Sequence, residues 1–305
     1  MLFRSCLTVC GTCILIPSLD PRKFDKVIAK YKPNGILGIP SLYETLLSTK
    51  EDFDFSDLKF VISGGDVLPA DLEKRINKFL EEHNSPVDIA PAYGLSECLS
   101  GVTVSPAKGG KVGSVGIPCP DTYVKIVNPD TCEELPYGTV GEICIHSPLA
   151  MTEYINDPEE TNKTKRKHKD GLEWVHTGDL AYMDEDGFIF FEQRLKRMII
   201  SSGYNIAPQY IEKVIDSHPD VHRSIVVGVP HKYKIEVAKA FIVLKDDVKN
   251  ESKAKKEIRE LCRQNIEEYA QPYEFVYCDS LPISLMGKVD YRELVKQDQN
   301  KEDTN

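Results

Sequence analysis

Residues 58–83, LKFVISGGDVLPADLEKRINKFLEEH, join two kinds of regular structure and decide the fold class. The apolar run at 58–63 ends at Gly64 and Gly65, a pattern typical of a buried strand followed by a turn. In residues 71–83, apolar side chains recur on one side of a predicted helix: Leu72, Ile76, Phe79 and Leu80. A strand followed by an amphipathic helix is the repeating unit of an α/β protein.

The sequence on the N-terminal side continues this alternation. Residues 21–31 carry apolar side chains at helical spacing, and Asp20 precedes them as a predicted N-cap, so we expect a helix there. The short apolar run at 36–39 predicts a buried strand, and residues 41–47 predict a second helix. We therefore expect residues 1–85 to form an α/β domain with a largely parallel sheet.

The pattern changes at about residue 111, where alternating runs become bounded by Gly, Pro, Asn and Asp. The runs TYVKIVNP, GEICIHSP and GFIFFEQR predict the hairpins of a β-rich subdomain. Between them, the basic run at 162–169 is typical of a solvated loop.

A compact α+β unit is predicted for the C-terminal part of the chain. Predicted helices begin at Pro208 and Lys253, and three apolar strands accompany them. We place the domain boundary between residues 195 and 196, which gives the domains 1–195 and 196–305.

Composition excludes several classes of protein. The chain has 305 residues and a formal net charge of −10, which argues against nucleic-acid binding through a basic surface. It has no run of 18 apolar residues, so we expect no membrane span. The opening run LTVCGTCILIP is interpreted as a buried strand rather than a signal peptide. Nine cysteines without a paired framework favour a reducing compartment, the cytoplasm.

Two short segments in the first half of the chain carry polar chemistry. In SGGDVLP, the pair Gly64-Gly65 directly after a strand lets backbone approach a ligand closely. In AYGLSE, Tyr93 can stack on a base and the Glu97 carboxylate is a hard oxygen ligand of the kind Mg²⁺ prefers. Taken singly, each segment is also explained by an ordinary turn.

Three further segments lie in the second half. In WVHTGDL, Asp179 can present its carboxylate to two neighbouring ribose hydroxyls, although an N-cap or turn aspartate explains the motif better when it is taken alone. In RLKRMIISSGYNI, a basic cluster precedes Gly203, which suits a phosphate-facing junction or a solvated cationic turn. In LPISLMGKVDYREL, Lys288 follows a glycine, and a lysine on a turn can neutralise charge that develops at phosphorus.

The order and spacing of these segments resemble the adenylate-forming superfamily, specifically its acyl-CoA synthetases. The joint occurrence of YGLSE, GSVGIPCP, HTGD, RLKRMIISSGYNI and LPISLMGK is specific, whereas each motif alone is weak. The resemblance implies an α/β fold: the remainder of a large adenylating N-terminal domain with a β-rich subdomain, followed by a small mobile α+β C-terminal domain.

The resemblance also implies an activity. It is the ATP-dependent activation of a carboxylic acid, with fatty acids favoured, to acyl-AMP, followed by thioester formation with CoA. ATP, Mg²⁺ and CoA are the implied cofactors and a small carboxylate the implied partner. The family's Ser/Thr/Gly-rich phosphate loop ending in Pro-Lys has no counterpart in this sequence. Two alternatives therefore stay open: a non-catalytic or split-enzyme fragment that needs a separate N-terminal half, and another ligase that adenylates amino or aryl acids. The candidate protein partners are such an N-terminal half or a second copy of the chain in a homo-oligomer.

Individual roles follow from the resemblance residue by residue. Lys288 matches the catalytic lysine that bridges the attacking carboxylate and the phosphate. Glu97 matches the catalytic residue that binds Mg²⁺. Lys196 matches the hinge. The remaining matches concern contacts with the nucleotide, the acyl group and CoA: Gly64, Gly65, Tyr93, Gly94, Ser96, Asp179, Arg194 and Gly203.

These binding roles differ by chemistry. Tyr93 would stack on adenine, and Asp179 would bind both ribose hydroxyls with help from Arg194. Ser96 stands where the family usually has Thr and would contact the α-phosphate. Gly203 matches the glycine beside which the pantetheine arm passes.

Overall fold

The computed structural model describes residues 11–14, 16, 19–282, 289–291 and 293–296. The chain divides into two compact units, Met1–Cys119 and Pro120–Asn305. Sheets and helices occur together in both units, so the α/β fold class is confirmed. The predicted boundary between residues 195 and 196 falls inside the second unit and stays a prediction.

The first unit is built on a five-stranded sheet with the spatial order β1-β2-β3-β4-β5. The strands β1, β2 and β3 are parallel, as predicted, and β4 and β5 add antiparallel neighbours. The strands are β1 (Gly35–Gly38), β2 (Phe60–Ser63), β3 (Ile89–Tyr93), β4 (Thr103–Val104) and β5 (Ile117–Pro118). The parallel arrangement brings the carboxyl ends of β2 and β3 to the same edge of the sheet.

Three α-helices connect and cover these strands: α1 (Phe24–Tyr31), α2 (Pro40–Leu46) and α3 (Ala70–Glu82). The predicted N-cap is confirmed, since the Asp20 carboxylate accepts a hydrogen bond from the Arg22 backbone N–H at 3.2 Å. Tyr43 of α2 is fully buried, and its hydroxyl donates to the carbonyl of Ile62 at 2.6 Å. That bond ties α2 to the middle of the sheet.

The second unit contains two sheets. In the first of them, β10-β9-β7-β6 run in this spatial order and β8 pairs with the far end of β9. All of these pairs are antiparallel, which confirms the predicted β-rich subdomain. The strands are β6 (Tyr123–Val127), β7 (Gly141–His146), β8 (Lys165–Lys167), β9 (Glu173–Met183) and β10 (Ile189–Arg194).

Residues 162–167 of the basic run at 162–169 are regular structure, so the prediction of a solvated loop is wrong over those residues. Helix α4 (Pro158–Thr164) leads directly into β8, whose register pairs it with residues 173–175 of β9. The Lys165 ammonium lies 2.9 Å from the Glu173 carboxylate. The pairing with β9 and the ion pair with Glu173 stabilise a strand here, and neither can be inferred from the local run of charges.

The other sheet of this unit has the order β12-β11-β14-β13, with β15 parallel to β14. Its strands are β11 (Ile199–Ser201), β12 (Tyr204–Ile206), β13 (Val221–His231), β14 (Ile235–Leu244) and β15 (Glu274–Tyr277). Helices α5 (Pro208–Asp216) and α6 (Glu251–Asn265) pack their apolar faces in one core with it. Across the described ranges, no helix is long and apolar enough to span a membrane.

We predict that burial decides the stability contribution of two isoleucines ten positions apart in the second unit. Ile145 in β7 is 0% exposed and Ile155 is 88% exposed. Ile145→Ala should lower the free energy of unfolding by about 2–5 kcal/mol, because it leaves a cavity among packed neighbours. Chemical denaturation measures the loss, and Ile155→Ala, the same substitution in solvent, should stay within about 0.5 kcal/mol of the parent chain. Equal effects would contradict the assigned burial.

Candidate active site

The carboxyl edge of the first sheet collects the glycine and aromatic positions predicted for ligand contact. Ser63, the last residue of β2, is in register with Pro91 of β3. A Cβ atom on Gly64 would lie 3.5 Å from the carbonyl oxygen of Ala92, so the two segments run side by side. Ligands of open α/β sheets bind outside the carboxyl ends of the strands.

The Gly64-Gly65 turn leaves this edge open. The Gly64 N–H donates to the carbonyl of Gly38 at 3.0 Å, which links the turn to β1. Gly65 is exposed and has φ +84°, a conformation that favours glycine. The Ser63 hydroxyl is buried and has no hydrogen-bond partner within the described ranges.

The segment after β3 folds back tightly on Gly94. A Cβ atom at Gly94 would overlap the backbone carbonyl of Ser100, so the loop closes only around a glycine. The Ser100 N–H donates to the Leu95 carbonyl at 2.9 Å, and a short 3₁₀ turn spans Ser96–Cys98. In this turn Ser96 is exposed and Glu97 is half-buried. Tyr93, at the end of β3, is half-buried as well.

Asp179 and Arg194 form the polar centre of the second unit's first sheet. They are register partners on β9 and β10, and Nε of Arg194 lies 3.2 Å from Oδ1 of Asp179. Asp179 is only 4% exposed, whereas the Arg194 side chain is 60% exposed. A buried carboxylate beside a solvent-accessible guanidinium can accept hydrogen bonds from hydroxyl groups while keeping its charge offset.

Glu142 supports this arrangement and was missed by the sequence interpretation. One carboxylate oxygen accepts from the Gly178 N–H at 2.9 Å, and the other lies 2.7 Å from Nδ1 of His176. Gly178 has φ +69°, and the register of β7 and β9 shifts between Glu142 and Cys144. Glu142 thereby fixes the backbone directly before Asp179. The available signal was an acidic residue in the apolar strand GEICIHSP together with the histidine of HTGD.

The predicted junction residues lie between the two sheets of this unit. Leu195–Arg197 form a 3₁₀ turn that contains Lys196, of which the structure describes only the backbone. The neighbouring Arg197 guanidinium bonds the buried Glu212 carboxylate. Burial raises the pKa of Glu212, and the Arg197 charge opposes that rise. Arg197 therefore anchors the turn to α5.

Gly203 occupies the tip of the β11–β12 hairpin. Ser202 has φ +50° and Gly203 has φ +85°, the two left-handed positions of a tight two-residue turn. Among the residues that the structure describes, none has an atom within 4 Å of a Cβ built on Gly203, so its face is open to them. Lys288, the predicted catalytic lysine, lies outside the described residues.

The residues present fit the chemical groups that the resemblance implies. The half-buried Glu97 offers the hard oxygen that Mg²⁺ prefers. The buried Asp179 carboxylate offers acceptors for two hydroxyl donors. Both side chains keep these roles as predictions, as do the glycines and Tyr93.

The sequence profile described as AMP-binding enzyme matches residues 2–155, and that of the AMP-binding enzyme C-terminal domain matches residues 210–288. This chain belongs to the AMP-binding enzyme family. The resemblance stated from the motifs is confirmed at the level of the family.

Individual members of the AMP-binding enzyme family match nearly the whole chain. A long-chain-fatty-acid–CoA ligase of Bacillus subtilis strain 168 is 35% identical over 289 residues, which is 93% of this chain and 49% of that protein. ATP-bound MatB from Rhodopseudomonas palustris superposes with a TM-score of 0.84 at 27% identity, covering 96% of this chain and 56% of MatB. The chain thus spans about half the length of the proteins it matches.

A CoA synthetase among the solved structures is also similar to this chain. The o-succinylbenzoate CoA synthetase of Bacillus subtilis, in complex with an acyl-adenylate intermediate, has a TM-score of 0.79 and 25% identity. It covers 96% of this chain, and this chain covers 57% of it. The family's fold therefore extends over both units.

We predict that Gly94 tolerates no side chain. Gly94→Ala should lower the free energy of unfolding of the first unit by at least about 1–3 kcal/mol, because the added methyl overlaps the Ser100 carbonyl. Gly101→Ala is the matched control, since nothing lies within 4 Å of its Cβ. Thermal unfolding of the two variants should separate them, and equal midpoints would contradict the tight turn.

Proposed function

We propose that this chain carries the adenylate-binding and thioester-forming parts of an acyl-CoA ligase. The reaction joins a carboxylic acid to CoA in two steps with ATP consumed to AMP and pyrophosphate. The observation that carries the proposal is the buried Asp179 carboxylate paired with the exposed Arg194, at the HTGD and RLKR positions of an AMP-binding enzyme. The long-chain-fatty-acid–CoA ligase relative supports a fatty acid as substrate.

In the first step the carboxylate oxygen attacks the α-phosphorus of ATP, and pyrophosphate leaves. Two anions meet, so their repulsion must be offset in the transition state. Lys288 would neutralise charge between the carboxylate and the phosphate. Glu97 would hold Mg²⁺, which supplies charge compensation at the phosphates when bound. Asp179 would accept hydrogen bonds from both ribose hydroxyls, and Ser96 would donate to the α-phosphate.

In the second step the CoA thiolate attacks the acyl carbon, and AMP leaves. The segment after residue 195 would move about Lys196 between the two steps, so that Lys288 departs and the Gly203 hairpin arrives. The open face of Gly203 leaves room for a narrow chain such as the pantetheine arm. The Arg197–Glu212 ion pair would keep the turn at 195–197 attached to α5 while the segment moves.

Two further candidates belong to the same proposal. The o-succinylbenzoate CoA synthetase neighbour favours an aryl acid as the alternative substrate class. A chain that acts together with a separate N-terminal half or a second copy is the other candidate, and the experiment below tests the separate half. A cytoplasmic location is proposed because the nine cysteines of the sequence show no paired framework.

We expect the chain, given MgATP, CoA and a carboxylate, to release pyrophosphate in a manner that depends on Lys288. The panel should contain short, medium and long fatty acids, aryl acids and amino acids, so that the best substrate identifies the class. Lys288→Ala should nearly abolish this release but spare thioester formation from supplied acyl-AMP. Lys296→Ala, an exposed lysine eight residues further on, is the control and should leave both steps unchanged.

The outcomes separate the candidates. Equal loss of both half-reactions in Lys288→Ala would contradict its role in adenylation alone. Release that persists in Lys288→Ala would overturn the proposed chemistry. No release from the parent chain, with release restored by a separate N-terminal half of a related ligase, would favour the two-part enzyme.

We also predict that Asp179 acts on nucleotide affinity. Asp179→Asn removes the charge that strengthens two hydrogen bonds, each worth about 1.5–3 kcal/mol when one partner is charged. The value of kcat/KM for ATP should fall by about 10- to 100-fold with little change in KM for the carboxylate. Asp186→Asn, an exposed aspartate in the turn after β9, is the control. An unchanged KM for ATP in Asp179→Asn would contradict the assignment.

A further inference from the structure

A cluster of soft and nitrogen ligands lies in the second unit, apart from the positions assigned to the nucleotide. One ligand atom from each of Cys132, His168 and His176 comes within 4.8 Å of the other two. His168 and His176 are buried, and Cys132 is half-buried. Because the proposed reaction uses neither Cys132 nor His168, their convergence is unexplained by that function.

The spacing of the three atoms suits a small tetrahedral metal ion. Nε2 of His168 lies 2.9 Å from Nε2 of His176, and the Cys132 sulfur lies 3.9 Å from the latter. An ion with metal–nitrogen bonds of about 2.0–2.1 Å and a metal–sulfur bond of about 2.3 Å holds such atoms about 3.3–3.6 Å apart. These two separations therefore differ from the expected ones by a few tenths of an ångström, and the remaining separation, between the Cys132 sulfur and His168, is within 4.8 Å.

Glu142 orients His176 for this role. Its carboxylate is 2.7 Å from Nδ1 of His176, which makes Nδ1 the protonated nitrogen and leaves the Nε2 lone pair directed at the cluster. A carboxylate behind a metal-binding histidine fixes the tautomer and strengthens the ligand. The carboxylate is itself fixed by the Gly178 N–H at 2.9 Å.

The ring of His168 is held by neighbouring aromatic and charged groups. It stacks on Trp174 with centroids 5.9 Å apart, and the Lys125 ammonium lies 3.9 Å from the Trp174 ring centroid. The Trp174 indole N–H donates to Asp170 at 3.0 Å, and Asp170 also pairs with Lys125 at 2.8 Å. Nδ1 of His168 is buried and has no hydrogen-bond partner among the residues described.

The third ligand is held by a loop between β6 and β7. The Asn128 side chain accepts from the N–H groups of Asp130 and Thr131, and the Cys132 N–H donates to the Asn128 carbonyl at 2.9 Å. Nη1 of Arg166 lies 3.9 Å from the Cys132 sulfur, so a positive charge faces the atom proposed to bind the metal. The loop is thus preformed around the sulfur.

We propose that Cys132, His168 and His176 bind one divalent metal ion of the zinc class, with the fourth position open to water. The ion joins the β6–β7 loop, the β8–β9 hairpin and β9 itself. Two imidazoles and a thiolate are the donor set that selects zinc over magnesium or calcium. On binding, the thiol proton goes to solvent, and the proton between the two Nε2 atoms moves to Nδ1 of His168.

Cobalt(II) titration of the metal-free full-length chain tests this site. Co²⁺ replaces Zn²⁺ in tetrahedral sites and reports a thiolate ligand by a sulfur-to-metal absorption band in the near ultraviolet. We expect saturation at one equivalent, with this band present and with Zn²⁺ displacing Co²⁺. Bound Zn²⁺ should also raise the thermal midpoint, because an ion that binds only the folded state stabilises it.

Two ligand variants and one matched control complete the experiment. Cys132→Ser should abolish the sulfur band, and His168→Gln should weaken metal binding at least tenfold. The control is His218→Gln in a separate candidate cluster of this unit, His218, Asp220 and Glu257, which has no sulfur and should leave the spectrum unchanged.

Three outcomes would overturn the proposal. The first is a parent chain that binds Co²⁺ without the sulfur band, a result that needs no variant to fold. The second is a band that persists in Cys132→Ser, which would assign the sulfur to another cysteine such as the buried Cys144. The third is binding lost in His218→Gln and kept in both ligand variants.

Discussion

The buried carboxylate of Glu142 is the interaction on which the second unit's polar centre depends. It bonds the Gly178 N–H and Nδ1 of His176 at once, and so it joins β7 to β9 through side-chain as well as backbone bonds. A buried carboxylate is stable only when such donors satisfy it. The left-handed Gly178 and the exposed Arg194 then leave Asp179 buried yet charge-compensated. The proposed ribose contact at Asp179 and the proposed metal site at His176 both rest on the same carboxylate, which bonds Gly178 and His176.

In the first unit, glycines leave the backbone accessible at the end of a parallel sheet, where the proposed ligand would bind. Two glycines after β2 and one after β3 remove the side chains that would fill that edge. At Gly94 the reason is contact with the Ser100 carbonyl, and at Gly65 it is the backbone angle. The aromatic Tyr93 and the acidic Glu97 are then carried on a turn whose path the glycine permits. These residue types are common in proteins, and what distinguishes them here is that they lie together at the carboxyl edge of the sheet.

Local patterns were sufficient for the elements and insufficient for the contacts between distant segments. Asp20 as a cap and the helix over residues 71–83 follow from neighbours in sequence, and both are found almost as predicted. The helix predicted to begin at Lys253 begins two residues earlier, at Glu251, and it ends at Asn265, since Ile266 already has extended backbone angles. The basic run at 162–169 became a helix end and a strand because β9 lies beside it. Glu142 could not be assigned from sequence, since its partners lie 34 and 36 positions away.

The hairpin tip at Ser202 and Gly203 has a consequence for the entropy of ligand capture. Both tip residues already occupy the left-handed region, and strands β11 and β12 pair on either side, so the chain has little conformational freedom left there. A flexible loop would lose about 1–2 kcal/mol of backbone entropy for each residue ordered on binding. This hairpin met that cost when the chain folded. If the proposed role of Gly203 holds, its ligand meets a rigid edge, and contact and desolvation rather than loop ordering would set the affinity there.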